Sequence, residues 1–224
     1  MISVVIPTLN AERTLQQALA PLVPAAVAGV VREVIVADGG STDRTLELAD
    51  DAGAKIVRTE PGRGVQLAAG CAAAKSDWLL VLHADTELAD GWEAAAAQHL
   101  QRHSDKAGWF RFALDDNGLR ARLWERGVAL RCALLALPYG DQGLLVSRRL
   151  YDEVGGFRPL PLMEDVDLVR RISSKRLRRL DAKAITSADR YRRDGYLGRS
   201  ARNAVLLARY LAGADPERLA RAYA

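Results

Sequence analysis

Five short stretches of this 224-residue chain set polar residues where they can do chemistry. In Trp78-Leu79-Leu80-Val81-Leu82-His83-Ala84-Asp85 an apolar run ends on an imidazole and a carboxylate. Asp85 is a candidate metal ligand, because magnesium and manganese are commonly held by one or two carboxylates plus substrate phosphates. His83 has three open readings: a second ligand, a diphosphate contact, or a hydrogen-bonded histidine at a strand end. In Ala37-Asp38-Gly39-Gly40-Ser41-Thr42-Asp43 the glycines permit a tight turn, and Ser41 or Thr42 can cap the helix that follows. A helix-initiating turn does not require an aspartate at the last strand position, where a carboxylate can accept hydrogen bonds from a base edge or a ribose. Gly62-Arg63-Gly64 opens a helix and can set a positive charge and bare amides near phosphate. It is neither a P-loop nor a dinucleotide glycine motif. Met163-Glu164-Asp165-Val166-Asp167 also opens a helix, where acidic residues suit the helix dipole and a general base can equally stand. Tyr139-Gly140-Asp141-Gln142-Gly143 precedes a strand, and spacing alone does not decide among Asp141, Glu164 and Asp165 as a base.

These residues need elements to position them. Ile2 to Ile6, Glu33 to Ala37, Lys55 to Arg58 and Trp78 to Leu82 read as strands; Ala11 to Leu19, Thr42 to Asp51 and Val65 to Lys75 read as helices between them. The alternation predicts a parallel sheet covered by helices on both faces. Ligands bind beyond the carboxyl ends of such strands, where Pro7-Thr8-Leu9-Asn10, Asp38 and His83-Ala84-Asp85 stand. Farther on, Gly108 to Leu114 alternates like an antiparallel strand, Leu119 to Leu137 and Glu164 to Ser173 have helical period, and Leu144 to Ser147 is a short strand. No repeat or linker divides the chain. It reads as one domain, 1–224, with an α/β nucleotide-binding half at 1–105 and a less regular half at 106–224.

Composition narrows the function classes. At 49% hydrophobic and 27% charged the chain is an ordinary globular protein, and 6% aromatic content offers little for stacking nucleic-acid bases. Cys71 and Cys132 form no zinc or redox motif, which suits a reducing compartment. The N-terminus lacks a signal-peptide pattern, and the longest uncharged run, Thr14 to Val31, is broken by Pro21 and Pro24. A cytoplasmic location is expected, with peripheral attachment to the inner membrane face left open. Residues 170–224 hold 15 basic and 5 acidic side chains, against 17 and 23 in 1–169. In the tail, Ala201, Ala204 and Ala208 are expected to pack on protein. Arginines between 190 and 202 are expected to line the crevice, and any membrane contact to be weak and electrostatic.

Taken in order, VVIPTLN, VADGGSTDRT, GRGVQLAAG, WLLVLHADT, GDQGLLVSRRLYDEVGGF and MEDVDLVRRI resemble a family-2 glycosyltransferase of the GT-A fold: a Rossmann-like, mixed α/β sheet flanked by helices. The similarity extends to a compact bacterial subgroup that carries HAD in place of the usual DxD and is sometimes labelled for arsenosugar biosynthesis. The resemblance implies an inverting, metal-dependent transferase that uses a nucleotide-sugar donor, commonly a UDP-sugar. Pro7, Thr8, Asn10, Glu12 and Asp38 match nucleoside-binding positions, with Gly39, Arg63, Gly64, His83 and Ala84 added as donor contacts from the readings above. Asp85 matches the metal-binding aspartate and Asp165 the general base. His83 departs from the family's acidic residue; imidazole suits manganese better than magnesium. The acceptor is unidentified, and a homodimer stays open. A sugar nucleotidyltransferase would want a glycine-rich, basic phosphate loop after the first strand, which Pro7-Thr8-Leu9-Asn10 is not. A catalytically weak nucleotide-sugar or membrane-surface binding protein is the remaining alternative.

Overall fold

The computed structural model describes residues 1–189 and 196–223. Tyr191 to Gly195, and the side chains of Tyr196, Arg199 and Ala201, on which the tail expectation partly rests, lie outside the described residues.

Strand β1 (Ile2–Thr8) is buried along its whole length because it lies between β2 (Val31–Asp38) and β4 (Trp78–Val81), both parallel to it. Edge strand β3 (Lys55–Arg58) extends the parallel part beyond β2. On the other side β7 (Leu144–Ser147) pairs antiparallel with β4 and with β6 (Ala107–Leu114). Next come β8 (Leu177–Thr186), parallel to β6, and β5 (Thr86–Leu88), antiparallel to β8. The sheet order is therefore β3-β2-β1-β4-β7-β6-β8-β5. The period of a strand sorts the apolar residues between two cores. Ile2, Val4, Ile6, Leu80 and Leu82 join Trp92 and Phe110 on one face, whereas Val5, Leu79 and Val81 join Leu67, Cys71 and Leu168 on the other.

Helices α1 (Leu15–Leu19), α2 (Leu22–Val27), α3 (Thr45–Asp51), α4 (Arg63–Ala73) and α5 (Trp92–Arg102) belong to the first half. The second half carries α6 (Leu119–Leu135), α7 (Arg148–Glu153), α8 (Glu164–Ile172), α9 (Tyr196–Leu211) and α10 (Pro216–Tyr223). The close seat of α4 depends on Gly70, where an added Cβ would stand 2.5 Å from Val5 Cγ1 and 3.2 Å from Ala37 Cβ. That contact brings the first turn of α4, with Arg63, to the carboxyl ends of the central strands.

The expected strands and helices are present with shifted ends. The Ala11 to Leu19 helix starts only at Leu15, and α2, α5, α7, α10, β5 and β8 were not anticipated. Strand β8 escapes a sequence reading because its inward positions include the small Ala182 and Ala184, while Arg178, Arg179, Asp181 and Lys183 face out. The tail expectation is corrected in one respect. Ala204 and Ala208 are exposed, and α9 packs through Leu206 and Leu207 against Leu162 and Leu219 and against Leu137, Val166 and Val169. Two leucines remove far more apolar surface from water than the alanines could. Among the described residues, no helix is long and apolar enough to cross a membrane.

Candidate active site

Two sets of polar residues stand at the carboxyl ends of the strands. In the first set the carboxylates accept hydrogen bonds from within the protein, Asp38 most of all. Asp38, 2% exposed, ends β2 and accepts hydrogen bonds from Thr8 Oγ1 (2.9 Å), Ser41 Oγ (2.5 Å) and the N–H groups of Gly40 and Ser41 (both 2.9 Å). Burial raises its pKa, but the hydrogen bonds from Ser41, Thr8 and Gly40 together outweigh it, and the carboxyl titrates below the ordinary aspartate value. The loop after β1 is stitched to the same turn. Asn10, at φ 51°, receives the Thr42 N–H on Oδ1 at 2.9 Å and donates its own N–H to Ser41 Oγ at 2.8 Å. Glu12 accepts the Arg44 N–H at 3.2 Å, and its own N–H reaches Asp43 Oδ2 at 3.1 Å. Beneath them the buried Gln66 donates Nε2 to the carbonyls of Thr8 (2.6 Å) and Ala37 (2.9 Å), locking β1 to β2 at their ends. Gly39 lies against the Gln66 side chain, where a Cβ would find its Cδ at 3.0 Å.

The second set surrounds a cleft of about 860 Å³, solvent-open space included, lined by Arg63, His83, Asp85, Tyr139, Asp141 and Asp165 among others. Asp165, in the first turn of α8, is held by the N–H groups of Gly140 (2.7 Å, to Oδ2) and Val166 (2.8 Å, to Oδ1). The Gly140 Cα packs so closely on the His83 ring and on Asp165 that any Cβ there would collide with the imidazole. Glycine at 140 is thus what lets β4's continuation and α8 meet. Glu164, with no exposed surface, ion-pairs with Arg63 Nε. Burial drives its pKa up against the pull of Arg63, and neighbouring Asp165 adds to the rise.

Among the described residues Asp141 has neither an ion pair nor full hydrogen bonding: whereas the buried oxygens of Glu164 face Arg63, Asp141 Oδ1 is buried without a hydrogen-bond partner. Burial pushes its carboxyl up to about 6 against the attraction of Arg131, and Asp165 and Asp85 add to the rise. The segment that carries it is anchored by buried Gln142, which accepts the Tyr139 N–H at 3.2 Å and donates to the Phe110 carbonyl at 3.3 Å. Thr186, at the end of β8, donates to the Asp141 carbonyl at 3.2 Å, and Ser187 N–H reaches the Asp85 carbonyl at 3.1 Å. Among the described residues, no three His, Cys, Asp or Glu side chains close around a metal position.

Arg63, His83, Asp85, Asp141 and Asp165 therefore meet in one cleft, while Pro7, Thr8, Asn10, Glu12, Asp38 and Gly39 form the knitted loops beside it; Ala84 lies half-buried between His83 and Asp85. At Gly64 an added Cβ would run into the backbone of Arg158 and Leu160, so the lack of a side chain there also serves close packing. Four contributors went unrecognised in the sequence: Gln66, Gln142, Thr186 and Ser187. The glutamines carried a faint signal, as uncharged polar residues in otherwise apolar surroundings. The other two depend on β8, which gave none.

The profile of the family described as Glycosyl transferase family 2 matches residues 3–160, which includes Asp85 and Asp141 and stops short of Asp165. Glucosyl-3-phosphoglycerate synthase of Mycolicibacterium smegmatis is 38% identical over 98 residues, which cover 40% of this chain and 31% of that protein. A TPR repeat-containing protein of Synechococcus elongatus is 42% identical over 85 residues, 35% of this chain and 21% of its own length. The chain thus matches less than a third of these curated relatives. Among solved structures, S. aureus TarS 1-349 in complex with UDP-GlcNAc aligns with TM-score 0.65 at 18% identity, over 83% of this chain and 58% of that one. Glucosyl-3-phosphoglycerate synthase of Mycobacterium tuberculosis with Mn2+, UDP and phosphoglyceric acid gives 0.59 at 24% identity, over 80% and 67%. These likenesses establish the fold, the mixed α/β sheet of GT-A proteins.

Proposed function

The chain belongs to glycosyl transferase family 2, and on that premise we propose that it moves a sugar from a nucleoside-diphosphate donor, a UDP-sugar, to an acceptor hydroxyl with inversion. The observation that carries the proposal is the meeting of Asp85, Asp141 and Asp165 in one cleft, from segments far apart in sequence. In direct displacement the acceptor oxygen forms its bond to the anomeric carbon as the bond from that carbon to the diphosphate oxygen breaks. Asp165 takes the acceptor's proton. Its two backbone hydrogen bonds fix the carboxylate while leaving acceptor capacity for an incoming hydroxyl. Glu164 keeps Arg63 at the cleft wall, where its charge can meet the diphosphate. The tie between Thr8, Asp38 and Gln66 holds the loops for the nucleoside.

The residues present fit a divalent cation, magnesium or manganese. Asp141 Oδ1 is buried and unpartnered, and the crowding of Asp85 and Asp165 around it is relieved by positive charge. Asp85 and Asp141 would hold the ion, with diphosphate oxygens as further ligands. Such an ion stabilises the charge that develops on the departing diphosphate. The fold of the two solved relatives, crystallised with UDP-GlcNAc and with UDP and Mn2+, agrees with this donor class. Residues 1–105 would serve the donor and 106–224 the acceptor, in one domain. A reducing, cytoplasmic setting completes the reading, since Cys71 and Cys132 are both buried and unpaired.

Calorimetric titration with UDP, with manganese and then with chelator, tests the donor and the cation together. Tighter binding with manganese is expected, and Asp85→Asn should abolish the difference. Equal affinity in both conditions would remove the cation, and no binding in either would remove the donor.

A further inference from the structure

Helix α6 is apolar on the side that packs and on the side that does not. Ala121, Val128 and Cys132 are buried with Phe112 and Leu114 of β6. On the other side Leu119, Leu123, Leu130 and Leu134 are exposed by 55% to 75%. At 3.6 residues per turn these four lie within roughly 60° of one another, a single stripe about four turns long. A contiguous exposed apolar surface marks an interaction site.

The exposed charge along α6 itself is positive. Arg120 and Arg126 flank it and are exposed. The helix's single carboxylate, Glu125, is turned away, accepting from Arg122 at 2.7 Å and from the Leu114 N–H at 2.9 Å. Helix α9 packs beside α6 and contains no acidic residue; it exposes Val205 together with Arg202 and Arg209.

We propose that α6 docks on the anionic leaflet of a lipid bilayer, with its leucine stripe in the interfacial layer and Arg120 and Arg126 among the headgroup phosphates. An exposed apolar stripe on a cationic helix is the pattern of a helix lying in the plane of the interface. A second copy of the chain is the competing occupant, and charge decides against it. A two-fold contact sets the same face on both sides, so the exposed Arg120 and Arg126 of both copies would be brought together, while Asp115 and Asp116 lie only at the start of the helix. On the inward side of α6, the Arg131 guanidinium sits 3.5 Å from the centre of the Tyr139 ring, and Tyr139 lines the cleft. Docking of α6 therefore brings the cleft mouth beside the membrane. No catalytic group enters this inference, so it stands apart from the transferase reading.

Vesicle flotation of the whole chain tests it, with phosphatidylcholine vesicles made with and without phosphatidylglycerol, at low and high salt. Flotation with the anionic vesicles is expected, with a part that survives high salt because the leucines insert. The Leu123→Glu/Leu130→Glu variant should lose binding by about tenfold or more, the scale of charging an inserted face, while UDP affinity and thermal melting stay unchanged. Should that variant unfold, Leu134→Gln reads the same way with a smaller loss. Wild-type protein that ignores anionic vesicles overturns the proposal, as does a folded variant that floats like wild type. A wild-type dimer in sedimentation equilibrium that becomes monomeric in the variant gives the face to a second copy and also overturns it.

Discussion

The two acidic neighbourhoods of this protein are built on opposite principles. Around Asp38 each carboxylate oxygen accepts two hydrogen bonds and the group titrates below its ordinary value. Around Asp141 an oxygen is buried with no partner, carboxylates crowd one another, and the group is pushed up to about 6. A satisfied buried carboxylate is a strut, whereas an unsatisfied one costs stability unless something arrives to pair with it. The contrast separates the part of the site that holds shape from the part that waits for charge.

The largest effect that sharpens this contrast is on turnover. Asp165→Asn should lower the rate of sugar transfer by about two orders of magnitude or more, the usual loss with a general base, and leave UDP affinity nearly unchanged. Measured single-turnover rates with bound donor decide it, and persistence of the rate moves the base to Glu164 or Asp141. Next comes the strut. Asp38→Ala strands four donors, and at about 1 kcal/mol each it should cost about 3–4 kcal/mol in denaturant unfolding. Because the Asp38 pKa is lowered in the fold, the stability it adds is present above the ordinary aspartate value and is lost as pH falls through the native one. A cost that stayed constant down to pH 2 would show that the charge is not what the turn uses.

Asp141 should behave in the reverse sense. Its native pKa lies above the ordinary 3.8, so the folded state keeps a proton that the unfolded chain has already released. Stability of the metal-free protein therefore falls as pH rises from about 4 towards 6, and the penalty is complete above that. Asp141→Asn should stabilise the chelator-treated protein at pH 7 by about 1–2 kcal/mol, below the ceiling of about 3 kcal/mol for a shift of this size, and by nothing near pH 4. Destabilisation at pH 7 would place Asp141 with the struts and erase the comparison. The smallest effect is on the loop edge. Glu12→Gln keeps an acceptor for the Arg44 N–H and should change stability by less than about 0.5 kcal/mol. A several-fold loss of UDP affinity in that variant would put the Glu12 side chain on the nucleotide instead of on the loop.

The parallel half of the fold was legible from residues alone. Strands such as Ile2–Thr8 are apolar on both faces because helices cover both, and that pattern is local. Asp38 and Asp85 could be marked as well, because a carboxylate at a strand end stands out against its apolar neighbours, whereas Asp165, beside Glu164 and Asp167, was singled out only by the family resemblance. Their different employment could not be read. Asp38 and Asp85 each follow an apolar strand, and only the fold directs Thr8 and Ser41 onto the first while setting Asp141 and Asp165 near the second. Strand β8 was hidden by its alanines and arginines, since its place is fixed by pairing with β6 across a long stretch of chain. The exposure of the α6 leucines was equally out of reach: an apolar helix looks the same in sequence whether both of its sides are covered or one. Residue types and spacing determined which groups could do chemistry. Which of them are satisfied, and which stand in want of a partner, depends on non-local hydrogen bonding and burial, and that only the tertiary structure decided.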